Sequence, residues 1–191
     1  MLKFAKPVSS LLTRFSRDTR GLAATEFAII LPMMLVIFFG TIEVSTGVAV
    51  DRKVTILTRT LSDLISQASS VSNTDLTNAF TIGASIMTPY SSAPIKAIIS
   101  QVYIDPTTLQ GKVKWSTASN DTAHACNATV NVPTGLAIGG TYLIMSEVRY
   151  NFQPMVDINF GTPPTFTLGD TTYTRPRQST SVTNTSAAAC T

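Results

Sequence analysis

Charge is scarce in this chain, and so are the residues most enzymes use for chemistry. Only 13% of its 191 residues are Asp, Glu, Lys or Arg, against roughly 25% in soluble globular proteins. With a mean hydropathy of +0.23, that shortage excludes a disordered, charged tail protein and argues against a highly charged cytosolic enzyme. A single histidine, His124, and two cysteines leave no ligand cluster for a metal. No phosphate-binding glycine loop, HExxH or serine-elbow motif occurs. The expectation is therefore no catalytic constellation, no metal and no cofactor. His124 follows a polar Ala-Ser-Asn-Asp-Thr-Ala stretch and reads as a solvated loop residue. Asn120, Asn127 and Asn184 head N-x-Ser/Thr triplets, which a chain rich in Ser, Thr and Asn produces by chance.

The charge that is present is unevenly placed. Residues 1–21 hold five Lys/Arg (Lys3, Lys6, Arg14, Arg17, Arg20) against Asp18, a net of +4. The remaining 170 residues carry nine Lys/Arg against ten Asp/Glu, a net of −1. A basic head on a near-neutral body is not the footprint of a nucleic-acid binder.

After that head comes the longest apolar stretch. From Phe27 to Ile42 sixteen consecutive residues carry no charge, and the next eight, to Val50, add only Glu43. As helix, sixteen residues span ~24 Å and twenty-four ~36 Å, against a hydrocarbon core of ~30 Å. Phe, Ile, Leu and Met wrap the segment evenly, leaving no polar face for water. The reading is a transmembrane helix over 22–50, with Glu43 toward one interface. A buried helix of a soluble domain is the alternative. The leader's cations before the span, against Asp51, Arg52 and Lys53 after it, put the N-terminus in the cytoplasm and the rest outside. Pro32 lies inside the run and is tolerated in a membrane helix whose neighbours repair the lost bond. A cleaved secretory signal ending near Gly47-Val48-Ala49 is the runner-up, although its leader would be far longer than the ~15–30 residues usual for such signals.

Two features stand together in Gly21-Leu22-Ala23-Ala24-Thr25-Glu26-Phe27. A glycine divides the charged head from the apolar run, and a carboxylate sits five residues later inside that run. A carboxylate in hydrocarbon costs several kcal/mol and marks a function or a partner. Cleavage after Gly21 would remove the basic head and leave Leu22 with a new α-amino group. Residues 22 and 26 share a helix face, so Glu26 can neutralise that amine on its own chain or on a neighbouring one. The plainer reading of Glu26 is an interfacial acid at a helix start, favoured by the helix dipole.

This junction resembles a prepilin processing site, in the Gly-x-x-x-x-Glu-aromatic form of the tight-adherence (Tad) pilus system. The wider pattern is similar to the TadE-like minor pseudopilins. It comprises a basic stretch, Gly21, small residues, Glu26-Phe27, an apolar run with Pro32, then Phe39-Gly40-x-x-Glu43. Tyr150-x-x-x-Pro154 and Tyr173-Thr-Arg-Pro-Arg177 also look like that family. The likeness covers most of the chain and is most specific over residues 20–50. Phe27 departs from the Tyr of the main Flp pilins, and the chain is much longer than a Flp pilin; both fit a pseudopilin better. The resemblance implies processing at Gly21/Leu22 by a prepilin peptidase and assembly through Glu26, Phe27 and the apolar helix. Implied partners are other pilins or pseudopilins, the pilus assembly machinery and membrane lipid. The implied location is the bacterial inner membrane, single-pass, with a periplasmic C-terminal domain.

The extracytoplasmic part, 51–191, reads as α+β. Helical spacing continues through Val54, Leu57, Leu61, Leu64, Ile65, Ala68 and Val71, predicting an amphipathic helix over about 51–71. A second helix is expected over about 75–87, with Thr74 as its N-cap. Residues 93–177 read as β-rich. Ile95–Ile104 is a strand, Lys112–Trp115 its antiparallel partner with Val113 and Trp115 inward, Thr141–Phe152 another strand, and Phe166–Leu168 and Tyr173 edge segments. A long N-terminal helix over a small antiparallel sheet follows, the arrangement the pilin resemblance also implies. Cys126 and Cys190, in an oxidising compartment, form a natural disulfide, with two free thiols as the alternative. It would close a loop of about 65 residues, worth roughly 4 kcal/mol by loop entropy. The bridge would pin a tail over 178–191 in which seven of fourteen residues are Ser or Thr, and which should otherwise be loose.

Three functions meet these features. A pilus assembly protein uses all of them, a bitopic binding or adhesion domain on an uncleaved tether uses the span alone, and a membrane-attached enzyme would depend on His124.

Overall fold

The computed structural model describes residues 20–154, 164–186 and 190. The leader charges before Arg20 and tail positions 187–189 and 191 lie outside the described residues. The protein is α+β, a long N-terminal helix followed by a curled antiparallel sheet. Helix α1 runs over Arg20–Ser66, 47 residues, with Pro32 inside it. The chain divides into two compact units, one up to Val44 and one from Ser45 on.

In the second unit α1 turns amphipathic. Val50, Val54, Leu57, Leu61 and Ile65 are buried at spacings of three and four, the stripe a core-facing helix requires. Leu64, expected on that stripe, is instead 41% exposed. The places beside the stripe go to Thr58, Ser62 and Ser66, all fully buried. Their hydroxyls are satisfied at once: Thr58 Oγ1 donates to Val54 O, and Ser66 Oγ to Asp63 O, both at 2.8 Å. Ser62 Oγ reaches Thr174 Oγ1 at 2.7 Å and Ile144 O at 3.3 Å. Small hydroxyl side chains at these positions let helix and sheet backbones approach closely.

The helix ends at Ser66, short of residue 71, because other groups take over there. The Arg177 N–H donates to Ser66 O at 2.8 Å and its guanidinium pairs with Asp63 at 2.5 Å. Strand β1, Ser70–Val71, then forms a parallel pair with β7, Thr183–Asn184. Helix α2, Asn73–Ser85, is capped by Ser72 and not by Thr74. Ser72 Oγ accepts from Asp75 N–H (3.3 Å) while the Asp75 carboxylate accepts from Ser72 N–H (2.9 Å), a reciprocal capping box. That carboxylate is held below its usual range chiefly by the Ser72 hydroxyl, then by the Ser72 N–H. Lys53 on α1 donates to Ile86 O and Thr88 O, both at 2.8 Å, satisfying carbonyls at the far end of α2.

The sheet has five strands in the order β4-β3-β2-β5-β6. They are β2 (Ile95–Ile104), β3 (Gly111–Ser119), β4 (Thr129–Val130), β5 (Tyr142–Phe152) and β6 (Phe166–Thr174), every neighbouring pair antiparallel. The β-branched run of β2 takes the central place, where both faces are covered. Ile95, Ala97 and Ile99 face the core shared with α1, α2, Trp115, Ile144 and Val148. Past the register shift at Gln101/Val102, Val102 and Ile104 join a second cluster with Val132, Leu143 and Met145. Gly111 lies beneath this cluster, since a Cβ there would meet Val102 and Val132 side chains at 2.7 and 2.8 Å.

Cys126 and Cys190 are disulfide-bonded, 64 residues apart with Cα atoms 5.6 Å apart. The bridge is not the tail's only fastening. Val182 is fully buried, its carbonyl accepts from the Trp115 indole N–H at 2.7 Å, and Ser186 Oγ accepts from Asn73 N–H.

Candidate functional site

Gly21, Leu22, Glu26, Phe27, Pro32, Gly40 and Glu43, singled out from the sequence for processing, assembly and the membrane helix, all lie in the first unit, where α1 buries almost nothing. Ile29 is 77% exposed, Met33 70% and Val44 68%. Leu22, Phe27, Ile30, Met34, Val36, Ile37, Phe38 and Ile42 are exposed too. The most apolar window of the helix has mean hydropathy 2.3 and none of it buried, and its length suffices to cross a membrane. Monomeric proteins in water rarely expose more than a few hundred Å² of contiguous apolar surface. An all-round apolar helix of this size needs lipid or other helices against it.

The residues read from the sequence as a processing site open this segment. Gly21 has nothing within 4 Å of where a Cβ would lie, so the position is open. Leu22 and Glu26 stand one helical turn apart, both exposed. Between them Thr25 turns its hydroxyl onto Leu22 O at 2.8 Å, and farther along Thr41 does the same to Ile37 O. These bonds within the helix leave neither hydroxyl needing water, as apolar surroundings demand. Neither was anticipated from the sequence. Phe27 is 60% exposed. Gly40 is free of neighbours within 4 Å, and Glu43 is half-buried one turn later.

The polar loop after β3 differs from its sequence reading. His124 is no solvated loop residue: its ring Nε2 contacts the Glu147 carboxylate, and both side chains are only 29% exposed. Asp121 meets Arg149 at 2.7 Å one pair along β5. Its carboxyl is held below the ordinary range first by the Thr122 N–H, against a smaller effect of burial, and then by Arg149 and Lys96. Ser116 Oγ accepts from the His124 backbone N–H (3.0 Å) and from the Ser100 hydroxyl (2.8 Å). The group fastens the loop to the sheet. No sequence signal joins His124 to a glutamate 23 residues on. Two of the N-x-Ser/Thr asparagines have a structural reason: Asn120 and Asn127 hold left-handed backbone, φ 54° and 57°, which asparagine tolerates best after glycine. Among the described residues no three His, Cys, Asp or Glu side chains gather as a metal site.

Residues 21–60 match the family model described as TadE-like protein. No curated protein and no solved structure matches the chain. The match takes in Gly21, Glu26, Phe27, Pro32, Gly40 and Glu43, then the first turns of the buried stripe. Over residues 21–60, the N-terminal helix with its exposed apolar half, the chain is thus similar to TadE-like proteins.

Proposed function

We propose that the protein is a minor pseudopilin-like structural component for biogenesis of a tight-adherence pilus. The observation that carries this is the TadE-like match over a helix whose first half exposes its apolar side chains on all sides. A structural role needs what this chain has: a long apolar helix to pack laterally and a disulfide-bonded α+β domain to present. In this reading residues 1–21 are a cytoplasmic leader removed by a prepilin peptidase after Gly21, 22–50 are held in the bacterial inner membrane, and 51–191 are periplasmic. The new Leu22 amine meets Glu26 of its own or a neighbouring chain, and lateral packing of apolar helices drives incorporation.

N-terminal sequencing of the mature protein tests the first step. A start at Leu22 is expected. A start at Met1 makes the helix an uncleaved tether for a binding domain, and a start at Val50 makes the protein secreted. For the second step, Glu26→Ala should leave membrane insertion intact and reduce incorporation into the pilus. Normal incorporation of the alanine variant would remove the amine–carboxylate pair from the mechanism.

A further inference from the structure

The outward face of α1 in the second unit sets exposed aliphatic side chains between unpaired cations. Val48, Arg52, Ile56 and Arg59 recur at spacings of three and four, which places them on one stripe of the helix. It lies opposite the buried stripe of Val50, Val54, Leu57 and Leu61. All four are exposed, Val48 at 50% and Ile56 at 53%. Other cations of this unit are engaged: Arg149 and Arg177 pair with Asp121 and Asp63, and Lys53 donates to Ile86 O and Thr88 O. Arg52 and Arg59 make no ion pair among the described residues. Asp63, one turn beyond Arg59, is already held by Arg177 and Gln67. Arg is enriched at protein interfaces, where Lys and Glu are depleted, and its planar fork suits a carboxylate.

Spacing separates the anionic surfaces that could cover this stripe. The two guanidiniums stand seven residues apart, ~10.5 Å along the axis. Arg59 lies nine residues past Val50, ~13.5 Å beyond the proposed end of the membrane span, whereas headgroups add only ~5–8 Å on each side of the hydrocarbon. Lipid therefore suits Arg52 alone better than the pair. A second copy lacks the complement, because no two acidic residues of this chain stand seven apart. Beyond Ser45, α1 carries only Asp51 and Asp63.

We propose that the Arg52–Ile56–Arg59 stripe is the contact for a different subunit of the same assembly. That subunit lays an amphipathic helix alongside α1, with Asp or Glu at two positions seven residues apart and an aliphatic side chain between them to meet Ile56. The exposed aliphatic side chains supply burial, and the paired charges set register and choice of partner. The inference rests on the reading of the protein as a pilus component and names the chemistry of its neighbour.

The test places a photo-crosslinking amino acid at Ile56 in the full-length protein in its native membrane, maps the crosslinked peptides by mass spectrometry, and sequences the N-terminus of the same sample. Crosslinks to a helical segment of another protein with two acids in that spacing are expected. Arg52→Glu combined with Arg59→Glu should lower the yield by about tenfold, and changing the partner's acids to Lys should restore it, which misfolding would not allow. Crosslinks to a second copy, to lipid or to nothing would overturn the proposal. So would a double variant that crosslinks as well as the parent. A start at Leu22 without these crosslinks strikes the contact and leaves processing standing; the crosslinks with a start at Met1 keep the contact and strike processing.

Discussion

The two halves of α1 differ in apolar content, 17 of 25 residues over 20–44 against 9 of 22 over 45–66, and have opposite surroundings. Before Val44, Leu, Ile, Met and Phe are exposed on every side; after Ser45, five apolar residues at helical spacing are buried against a sheet. The difference lies in what sits between them. In the second half Asp51, Arg52 and Arg59 are among the residues outside, with small hydroxyls beside the buried stripe. In the first half no such division exists, so no face can be given to water. A core helix is told from one awaiting lipid or neighbours by its lower apolar content and by polar residues gathered on one face.

The largest test of this contrast is a matched pair of truncations. Leu61→Ala removes a side chain that is 1% exposed and should lower the domain's unfolding free energy by about 2–5 kcal/mol. Leu35→Ala, from a side chain that is 44% exposed, should leave it unchanged. Denaturant unfolding followed by the single tryptophan, Trp115, reads both. Equal losses would break the contrast. Glycines give a smaller version. A Cβ at Gly83 would meet Leu57 Cδ1 at 2.6 Å and Leu61 Cδ2 at 3.0 Å, so Gly83→Ala should cost about 1–3 kcal/mol by overpacking. Gly40→Ala meets nothing within 4 Å and should not move the same unfolding curve.

The smallest effect is on pH dependence and concerns only the second unit. Asp75, Asp105 and Asp121 are all held below 3.8, in each case first by hydrogen bonds: the Ser72 hydroxyl, the Thr108 N–H and the Thr122 N–H respectively. A folded-state value below the unfolded one means that the native state binds these protons less readily. Their contribution is then complete above about pH 4 and is lost as pH falls through the depressed values. Acid titration of domain unfolding should show the loss. Asp75→Asn should flatten part of it, and an unchanged profile would remove Asp75 from the account.

The sequence made the local elements legible and left long-range ones hidden. Ile95–Ile104 is a strand because its β-branched run has no competing period, and the apolar run from Phe27 is a helix because nothing interrupts it except Pro32. Leu64 was assigned to the buried stripe by spacing alone. Spacing could not show that Ser62, whose hydroxyl reaches Ile144 O and Thr174 Oγ1, faces the sheet in its place. The β1–β7 pair joins two-residue segments over a hundred positions apart, too short to carry any periodicity. Ser72 competed with Thr74 for the cap, and what decided it was Asp75 three residues on. At the candidate site Gly21, Glu26 and Phe27 were legible as a motif, whereas the His124–Glu147 contact depends on how a loop folds back over β5.

The closing of the helix end by later residues has a consequence for order of events. Ser66 O is met by the Arg177 N–H, and the chain at 69–71 by that at 183–185. Until the ribosome has delivered that distant stretch, the last turn of α1 has no lid and β1 has no mate. The long helix therefore stays unfinished at one tip, and the domain can lock only once the residues around 177–185 have joined it.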